Sequence, residues 1–304
     1  MLQNKEFTQM SFKIFLLFEK FLMSLPRNVR KNFFLSLASI AYYLSAKSRR
    51  TVKQNLDFVF DGKMSDEEIK NITKYSFKNL LLNFFHLMEI RHMSLDELQT
   101  HVTVDNIQAV QRVHEEGRSV IYVTSHYSSW ELGGTSIGAF IEPLGAVYKK
   151  MSNRYYESWV LESRAKFGNI NLEKTNVIKP LIKLIRNKTA CGILIDTNLK
   201  KQEGIDVEFM GKTIRQTATP AYLARKFNAA IIPVTMRTDD EENYTLMLFD
   251  EIPVEKTDDE KADILKATQL QADWLGDLIT REPKFWFWLH RRFKGDYPGI
   301  YKKQ

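Results

Sequence analysis

Short runs of nearly continuous apolar residues alternate with amphipathic stretches in the middle of the chain. Three runs, SVIYVTS, CGILIDT and AAIIPVTMR, are rich in β-branched residues, which is typical of strands buried on both faces of a sheet. A fourth run, YTLMLFD, predicts a further strand. Apolar spacing predicts helices at residues 128–140, 153–167, 177–188 and 219–227, and in DDEKADILKATQLQADWLGDLI. Alternating strands and helices predict an α/β fold with helices on the faces of the sheet.

Two more helices are predicted upstream of the first strand. The stretch MSDEEIKNITKYSFKNLLLNFFHLMEI begins with Ser65 and Glu68, which have the spacing of a capping box, and continues with apolar residues at three- and four-residue spacing. The stretch VDNIQAVQRVHEEG predicts a helix that ends at Gly117.

The first 55 residues combine large apolar side chains with most of the positive charge. They contain ten Lys or Arg and two Glu, a net charge of +8, so the remainder of the +7 chain carries −1. The apolar residues, in FKIFLLFEKFLMSL and NFFLSLASIAYYLSA, recur at helical spacing. Basic residues beside Phe, Leu and Tyr on a helix are typical of proteins that lie on an anionic membrane. We therefore expect a membrane surface, not nucleic acid, as the partner, with a buried core helix as the remaining alternative.

Neither apolar stretch has the pattern of a transmembrane helix. Lys13, Glu19 and Lys20 interrupt the first, and the second, residues 32–46, has 15 uncharged residues where a span needs about 20. No signal-peptide pattern is present, because charges interrupt the apolar region and no small-residue cleavage site follows. We expect this segment to lie on the membrane, and a single short span is the alternative.

The composition fits one large α/β domain behind this segment. The chain has 304 residues, of which 44% are hydrophobic, enough to bury a sizeable core. We assign residues 1–60 to the basic amphipathic membrane-associating segment and residues 61–304 to the α/β domain. The single cysteine, Cys191, lies in an apolar run and is expected in the core, so no internal disulfide is possible and a reducing, cytoplasmic setting is indicated.

The stretch VTSHYSSWELGG places His126 and Glu131 directly after the first predicted strand. Sites in open α/β sheets form at the carboxyl ends of strands. An imidazole acts as a general base when its second nitrogen is held and its developing charge is balanced, and a carboxylate can do both. However, Ser128 and Glu131 also have capping-box spacing, so Glu131 could simply cap the helix. The pattern leaves both interpretations open.

Other motif-like stretches do not fit the context that their chemistry needs. GTSIG, with Ser136, matches the nucleophile pattern of a hydrolase, but it lies inside a predicted helix about ten residues past the strand, where an elbow serine does not occur. GIDVEFMGKT resembles a P-loop, but Gly204 and Gly211 are seven positions apart where the motif needs about five. No cluster of Cys and His predicts a metal site.

Near its end, the chain changes from aromatic to basic within the ten residues FWFWLHRRFK. One interpretation is a core strand with a solvated basic end. The other is a basic cluster of Arg291, Arg292 and Lys294 that faces anionic groups of a partner, with Trp286 and Trp288 packed behind it.

Taken in order, these residues resemble the late acyltransferases of lipid A biosynthesis, within the larger lysophospholipid and glycerolipid acyltransferase group. The His-x4-Asp/Glu motif of that group falls on His126 and Glu131. The resemblance implies a glycerolipid acyltransferase-like fold with a mixed, largely parallel sheet. It runs through most of the chain, in the stretches NLDFVF, VYKKMSN, IDT, VEFMGK, TPAYLARKFNAAIIPV and WLHRRFK, and at Arg164.

The resemblance implies transfer of a fatty acyl chain from acyl carrier protein, or coenzyme A, to a hydroxyl of a lipid A precursor. In that reaction His126 is expected to be the general base, and Glu131 to orient His126 and balance its charge. Arg164 is expected to stabilise the oxyanion or a phosphate. No metal or redox cofactor is implied. Further substrate-binding residues are expected at Lys149, Asn153, Asp196 and Arg292.

The implied location is the cytoplasmic face of a bacterial inner membrane, with acyl carrier protein and a lipid A precursor as partners. Three alternatives stay open at this point. The acceptor is another phospholipid or glycolipid, the protein is a non-catalytic membrane-binding relative, or it is a lipase that uses Ser136.

Overall fold

The computed structural model describes residues 2–200 and 202–302, with side chains from residue 9 onward. The two predicted segments also include Met1, Lys201, Lys303 and Gln304, which lie outside the described residues. The side chains of Lys5 and Glu6 lie outside them as well. The helices are α1 Leu2–Met23, α2 Arg27–Leu44, α3 Ala46–Val59, α4 Asp66–His92, α5 Leu95–His101, α6 Gln108–Glu115, α7 Trp130–Phe140, α8 Arg154–Ala165, α9 Ile178–Arg186, α10 Thr219–Phe227 and α11 Glu260–Arg281. The strands are β1 Val102–Asp105, β2 Val120–Thr124, β3 Leu144–Tyr148, β4 Ile170–Glu173, β5 Ala190–Leu194, β6 Ile205–Phe209, β7 Lys212–Gln216, β8 Ala230–Arg237 and β9 Tyr244–Leu248.

Seven of the described strands form one sheet, in the order β1-β9-β8-β2-β5-β3-β4. Its neighbouring strands are parallel except β8 and β9, which are antiparallel. The four apolar runs of the sequence are strands β2, β5, β8 and β9, and helices pack on both faces of β2, whose residues 120–123 are buried. The predicted α/β fold with a mixed, largely parallel sheet is confirmed.

Capping residues explain where the helices begin and end. At the start of α4, the Ser65 hydroxyl accepts from the Glu68 N–H, and the Glu68 carboxylate accepts from the Ser65 N–H, so the predicted capping box is confirmed. Helix α6 ends just before Gly117, whose φ is 67°. Helix α7 begins at Trp130, two residues later than predicted, because Ser128 has a φ of 50° and cannot belong to a right-handed helix.

Several elements of the structure were not among those predicted from the sequence. Strands β1, β3 and β4 lie towards the edges of the sheet, and none of the four residues of β4 is buried. Strands β6 and β7 form a separate antiparallel hairpin. The stretch FWFWLHRRFK is not a strand, because a 3₁₀ turn at Pro283–Phe285 leads into a loop whose backbone forms an isolated bridge between Trp286 and Tyr127.

Of the three charged residues that interrupt the first apolar stretch, Glu19 is buried. Glu19 on α1 is 4% exposed, and its carboxylate accepts from Trp159 Nε1 (2.8 Å), is hydrogen-bonded to His92 Nε2 (2.9 Å) and lies 3.3 Å from Arg91 Nε. Helix α2 packs along α4. Nowhere in the described residues does a helix combine the length and hydropathy that crossing a bilayer requires. Membrane association and the division at residue 60 stay predictions.

Candidate active site

His126 lies two residues beyond the carboxyl end of β2, in the turn that leads into α7. Its backbone N–H donates to Asp196 Oδ2 (2.8 Å), and its carbonyl accepts from the Phe287 N–H (2.9 Å). The imidazole packs edge-on against the Trp130 ring, and its side chain is 27% exposed. The turn is thus held through the backbone while the imidazole stays accessible.

Asp196 occupies the equivalent position past the neighbouring strand β5. Thr124 pairs with Leu194 in parallel register, so the residues two places further on, His126 and Asp196, lie side by side. Asp196 Oδ1 lies 2.9 Å from His126 Nδ1, and Asp196 Oδ2 accepts from the indole N–H of Trp286 (3.0 Å). Burial would raise the pKa of Asp196, but the charge of His126 and these hydrogen bonds lower that pKa to about 2.

The ionised Asp196 fixes which nitrogen of His126 is free. A carboxylate can only accept, so the proton of the neutral imidazole lies on Nδ1 and the lone pair lies on Nε2. Burial of His126 favours the neutral form, but the charge and hydrogen bond of Asp196, with a further contribution from Glu131, raise the pKa of His126 above its ordinary value. This is the arrangement of a general base with an orienting carboxylate.

Glu131 does not hold His126 in the way that the sequence suggested. Its carboxylate, which is 8% exposed, forms a two-point ion pair with Arg164 of α8, from Nε to Oε2 (2.9 Å) and from Nη2 to Oε1 (2.6 Å). The bond that orients His126 comes from Asp196, because the register of β2 and β5 places Asp196 at Nδ1. The capping-box alternative for Glu131 is wrong, since the N-cap of α7 is Ser129, which makes no side-chain cap bond. The charge-balancing role of Glu131 stays a prediction.

Two adjoining cavities meet at these residues. The first lies between α7 and the sheet and is lined mainly by apolar side chains. The second lies between α4, α8 and α9, and its lining adds Lys149 and Lys174 to further apolar side chains. Both cavities are lined by His126, Trp130, Glu131, Val147, Tyr148, Arg164 and Leu194. The accessible imidazole therefore lies where the two cavities join.

The other predicted substrate-binding residues have different environments. Lys149 and Arg164 line the second cavity, as expected of residues that touch a substrate. Asn153 caps helix α8 instead, because its Oδ1 accepts from the N–H groups of Tyr155 (3.0 Å) and Tyr156 (3.5 Å). In the described part of the chain Asn153 lines neither of the two cavities, so its predicted contact with substrate is corrected to a capping role.

The basic cluster predicted near the end of the chain does not form. Arg292 is 2% exposed, and its Nη2 donates to the carbonyl of Arg215 (2.9 Å). The chain turns after Trp288, which carries Arg292 inward, while the Arg291 guanidinium lies over the ring of Tyr301. Arg292 is therefore a buried packing residue, not a substrate-facing cation. The predicted packing of both tryptophans in the core is confirmed, since Trp286 and Trp288 are 3% and 0% exposed.

Two residues rejected as nucleophiles are buried. Ser136 is 0% exposed inside α7, and its hydroxyl donates to the Leu132 carbonyl (2.7 Å). Cys191 is a free, fully buried core thiol, and burial raises its pKa to about 12. Among the described residues, no group of three or more His, Cys, Asp or Glu side chains is placed to hold a metal ion.

Sequence reasoning missed two parts of this site. It placed Asp196 near the substrate but did not pair it with His126. The signal for that pairing was that each residue comes at the end of an apolar run, Asp196 in IDT after the second and His126 after the first. It also gave no role to Asn83 of α4, whose Oδ1 accepts from the Glu131 N–H (3.2 Å). No local signal marks Asn83, because its contact depends on how α4 packs against α7.

Comparison with known proteins identifies the family of the chain. The profile described as bacterial lipid A biosynthesis acyltransferase matches residues 4–295. The chain belongs to this acyltransferase family. It is similar to the lipid A biosynthesis palmitoleoyltransferase of Escherichia coli K12, with 24% identity over 251 residues, 82% of this chain and 79% of that protein. It is also similar to the lipid A biosynthesis lauroyltransferase of the same organism, with 21% identity over 284 residues, 91% and 89% of the two chains.

A more distant relative has a different acceptor in its name. The phosphatidylinositol mannoside acyltransferase of Mycolicibacterium smegmatis is 22% identical over 217 residues, 70% of this chain and 68% of that protein. The resemblance predicted from the sequence is confirmed. The protein is an acyltransferase, and its family implies a lipid A precursor as the acceptor.

Proposed function

We propose that this enzyme transfers a fatty acyl chain from a thioester of acyl carrier protein, or of coenzyme A, to a hydroxyl of a lipid A precursor. The acceptor group would be the 3-hydroxyl of an acyl chain already attached to the precursor. The observation that carries the proposal is the position of His126, at the junction of two cavities with Nδ1 held by Asp196. His126 Nε2 is then the general base.

The proposed step needs no nucleophile from the protein. The acceptor oxygen attacks the thioester carbonyl carbon while His126 Nε2 takes the hydroxyl proton, which gives a tetrahedral oxyanion and an imidazolium. When the oxyanion collapses, the C–S bond breaks and the leaving sulfur takes the proton back from His126. Ester and thiol are the only products. The Asp196 carboxylate stabilises the imidazolium while it exists.

Arg164 and Glu131 supply a fixed charge pair beside this base. A guanidinium at the junction would stabilise the developing oxyanion, and the two bonds to Glu131 would hold it in one orientation. Glu131 also favours the imidazolium through its charge. Both side chains thus act most strongly in the transition state, when charge has developed on the oxygen and on His126.

The two cavities suit the two substrates. The first is lined by side chains that match a fatty acyl chain, so we assign it to the donor chain. The second carries Lys149 and Lys174 beside apolar side chains, so we assign it to the acceptor, whose phosphates would meet the lysines. The apolar residues that line the first cavity include Ile137, Leu144, Val234, Met236 and Leu246.

We further propose that α1 and α2 hold the enzyme on the cytoplasmic face of the inner membrane. Glu19 is the one acidic residue between positions 9 and 50, and it is buried, so the outer face of these helices carries apolar, basic and uncharged polar groups but no side-chain carboxylate over those residues. Such a face suits an anionic lipid surface. Its exposed large apolar side chains are Met10, Ile14, Leu16, Leu17, Phe18, Phe21, Val29, Leu37, Ile40, Tyr43 and Leu44.

The test is an assay of the purified enzyme with lauroyl and palmitoleoyl thioesters of acyl carrier protein and a lipid A precursor. We expect mass spectrometry to show the precursor gaining one acyl chain. A phosphatidylinositol mannoside acceptor run in parallel distinguishes the alternative acceptor. Transfer to that acceptor alone would overturn the lipid A assignment and leave the chemistry at His126 in place.

A further inference from the structure

The turn that follows His126 is held from one side by three buried polar residues of α4. Asn79, Asn83 and His86 are 4%, 2% and 3% exposed, and their spacing of four and three residues puts them on one face of the helix. Buried amides and imidazoles are costly unless they are hydrogen-bonded, so apolar side chains would be the ordinary choice there. All three side chains instead bond to residues 128–131.

Two of these side chains hold the same carbonyl group. Nδ2 of Asn79 and Nδ2 of Asn83 each donate to the carbonyl of Ser128 at 3.0 Å. Ser128 has a φ of 50°, in the left-handed region that residues other than glycine rarely adopt. Such a conformation persists only where its surroundings fix it. The two amides therefore fix the residue at which the chain turns from β2 into α7.

Asn83 also caps α7 from outside that helix. Its Oδ1 accepts from the N–H of Glu131 (3.2 Å), one of the first-turn donors that have no partner within a helix. The hydroxyl of the N-cap residue Ser129 would ordinarily take such a bond, but it is hydrogen-bonded to His86 Nδ1 (2.6 Å). Burial, together with nearby cations, lowers the pKa of His86 to about 3, so His86 is a neutral partner.

We propose that Asn83, supported by Asn79 and His86, is a positioning residue for acyl transfer. It sets the placement of Glu131, and with it Arg164, relative to His126. The proposal rests on the proposed function, because it concerns the geometry of that same site. Rotation at Ser128 would move the base relative to the ion pair, and a misplacement of about 1 Å in such a site costs about 100-fold in rate.

The first test compares Asn83→Leu with Leu82→Ala on the same helix. Leucine nearly matches asparagine in size but cannot bond to the turn, whereas Leu82 packs among α1, α2 and α8 and has no part in the turn. At a temperature at which both variants are folded, Asn83→Leu should lower kcat about 10- to 100-fold with KM changed less than about twofold. Leu82→Ala should lower only the melting temperature. Equal kcat in the two variants would overturn the proposal.

The second test does not depend on activity. Hydrogen-exchange mass spectrometry of a peptide covering residues 126–132 should show exchange about tenfold or more faster in Asn83→Leu than in the parent, because the Glu131 N–H and the Ser128 carbonyl lose partners. Leu82→Ala should leave this peptide unchanged. An unchanged exchange rate in Asn83→Leu would also overturn the proposal.

A double substitution tests whether the amides of Asn79 and Asn83 jointly hold the Ser128 carbonyl. Asn79→Leu alone should have a smaller effect than Asn83→Leu, because Asn83 still holds Ser128. The pair should lose more kcat than the product of the single losses, and simple multiplication of the losses would contradict shared support. His126→Ala separates the claims, since unchanged turnover there overturns the proposed function, whereas unchanged kcat in Asn83→Leu overturns only the positioning role.

Discussion

The Nδ1 atom of His126 lies 2.9 Å from Oδ1 of Asp196, and the two residues stand two places beyond residues that pair across the parallel strands β2 and β5. The pairing of the two strands therefore brings His126 and its carboxylate partner together. The carboxylate that bonds to His126 is that of Asp196, not that of Glu131 in the His-x4-Glu motif. Glu131 instead bonds to Arg164, so the two residues of the motif belong to two separate pairs, His126–Asp196 and Glu131–Arg164.

Asp196→Asn should change the pH dependence of the enzyme. The neutral His126 is the active form and its pKa is raised, so kcat/KM should fall as the pH decreases through a value above about 6.5. Without the negative charge, burial dominates and lowers that pKa, so the acidic limb should move to lower pH. The maximal rate should also fall about 10²- to 10⁴-fold, because asparagine can stabilise the wrong tautomer. A pH–rate profile checks both, and an acidic limb that stays in place would contradict the assignment of Asp196.

Glu131→Gln should cost substantial activity, about 10-fold or more, because it removes the charge that holds Arg164 and favours the imidazolium. Glutamine keeps the side-chain size, and Asn83 still accepts from the backbone N–H at position 131. The melting temperature should fall, because the Arg164 guanidinium loses its charge partner, so activity is compared at a temperature at which the variant is folded. Steady-state kinetics and a thermal melt on the same preparation test this, and an active, stable variant would remove Glu131 from the mechanism.

The sequence predicts what local patterns determine. Strands β2, β5 and β8 are buried on both faces and read as apolar runs, and the capping box of α4 is visible in Ser65 and Glu68. Strand β4 was missed because none of its residues is buried. The His126–Asp196 bond was missed because it depends on which strands are neighbours in the sheet. The burial of Arg292 depends on a turn after Trp288, and no residue pattern predicts that turn.

Gly134→Leu should shorten the acyl chains that the enzyme accepts. Gly134 lines the first cavity on helix α7, and a Cβ there would meet no atom within 4 Å, so a side chain can be added at this position. The preference for palmitoleoyl over lauroyl thioester should fall about tenfold or more. The melting temperature should hold or rise, because leucine favours the helix by up to about 1 kcal/mol over glycine.

Gly276→Ala, on helix α11, is the control. A Cβ at Gly276 would lie 3.3 Å from Met210 Cγ, and both residues lie outside the described lining of the two cavities. This variant should keep the chain-length ratio of the parent. An unchanged preference in Gly134→Leu would show that the donor chain does not occupy this cavity.

The double variant Leu17→Glu, Leu44→Glu should release the enzyme from anionic vesicles. These side chains are 70% and 80% exposed, so they can be changed without disturbing the core. Deletion of residues 1–50 would be less informative, because it would also remove the packing of α2 on α4. Burying each leucine in a membrane contributes about 1.5–3 kcal/mol, so co-sedimentation with phosphatidylglycerol vesicles should weaken by more than about tenfold.

Leu265→Glu, on the distant helix α11 and 45% exposed, controls for the added charge and should leave vesicle binding unchanged. If the double variant sediments as fully as the parent while folded, another surface attaches the enzyme to the membrane.

The turnover number of His126→Ala, measured beside that of Ser136→Ala, tests the central claim most directly. Ser136 is buried and bonded within its own helix, so its variant should keep the activity of the parent. His126 is partly exposed at the junction of the cavities, so its removal should leave the circular dichroism spectrum and melting temperature close to those of the parent. If His126 is the general base, His126→Ala should lower kcat about 10²- to 10⁴-fold, the usual worth of a positioned base. A folded His126→Ala enzyme with kcat within about threefold of the parent would contradict the account.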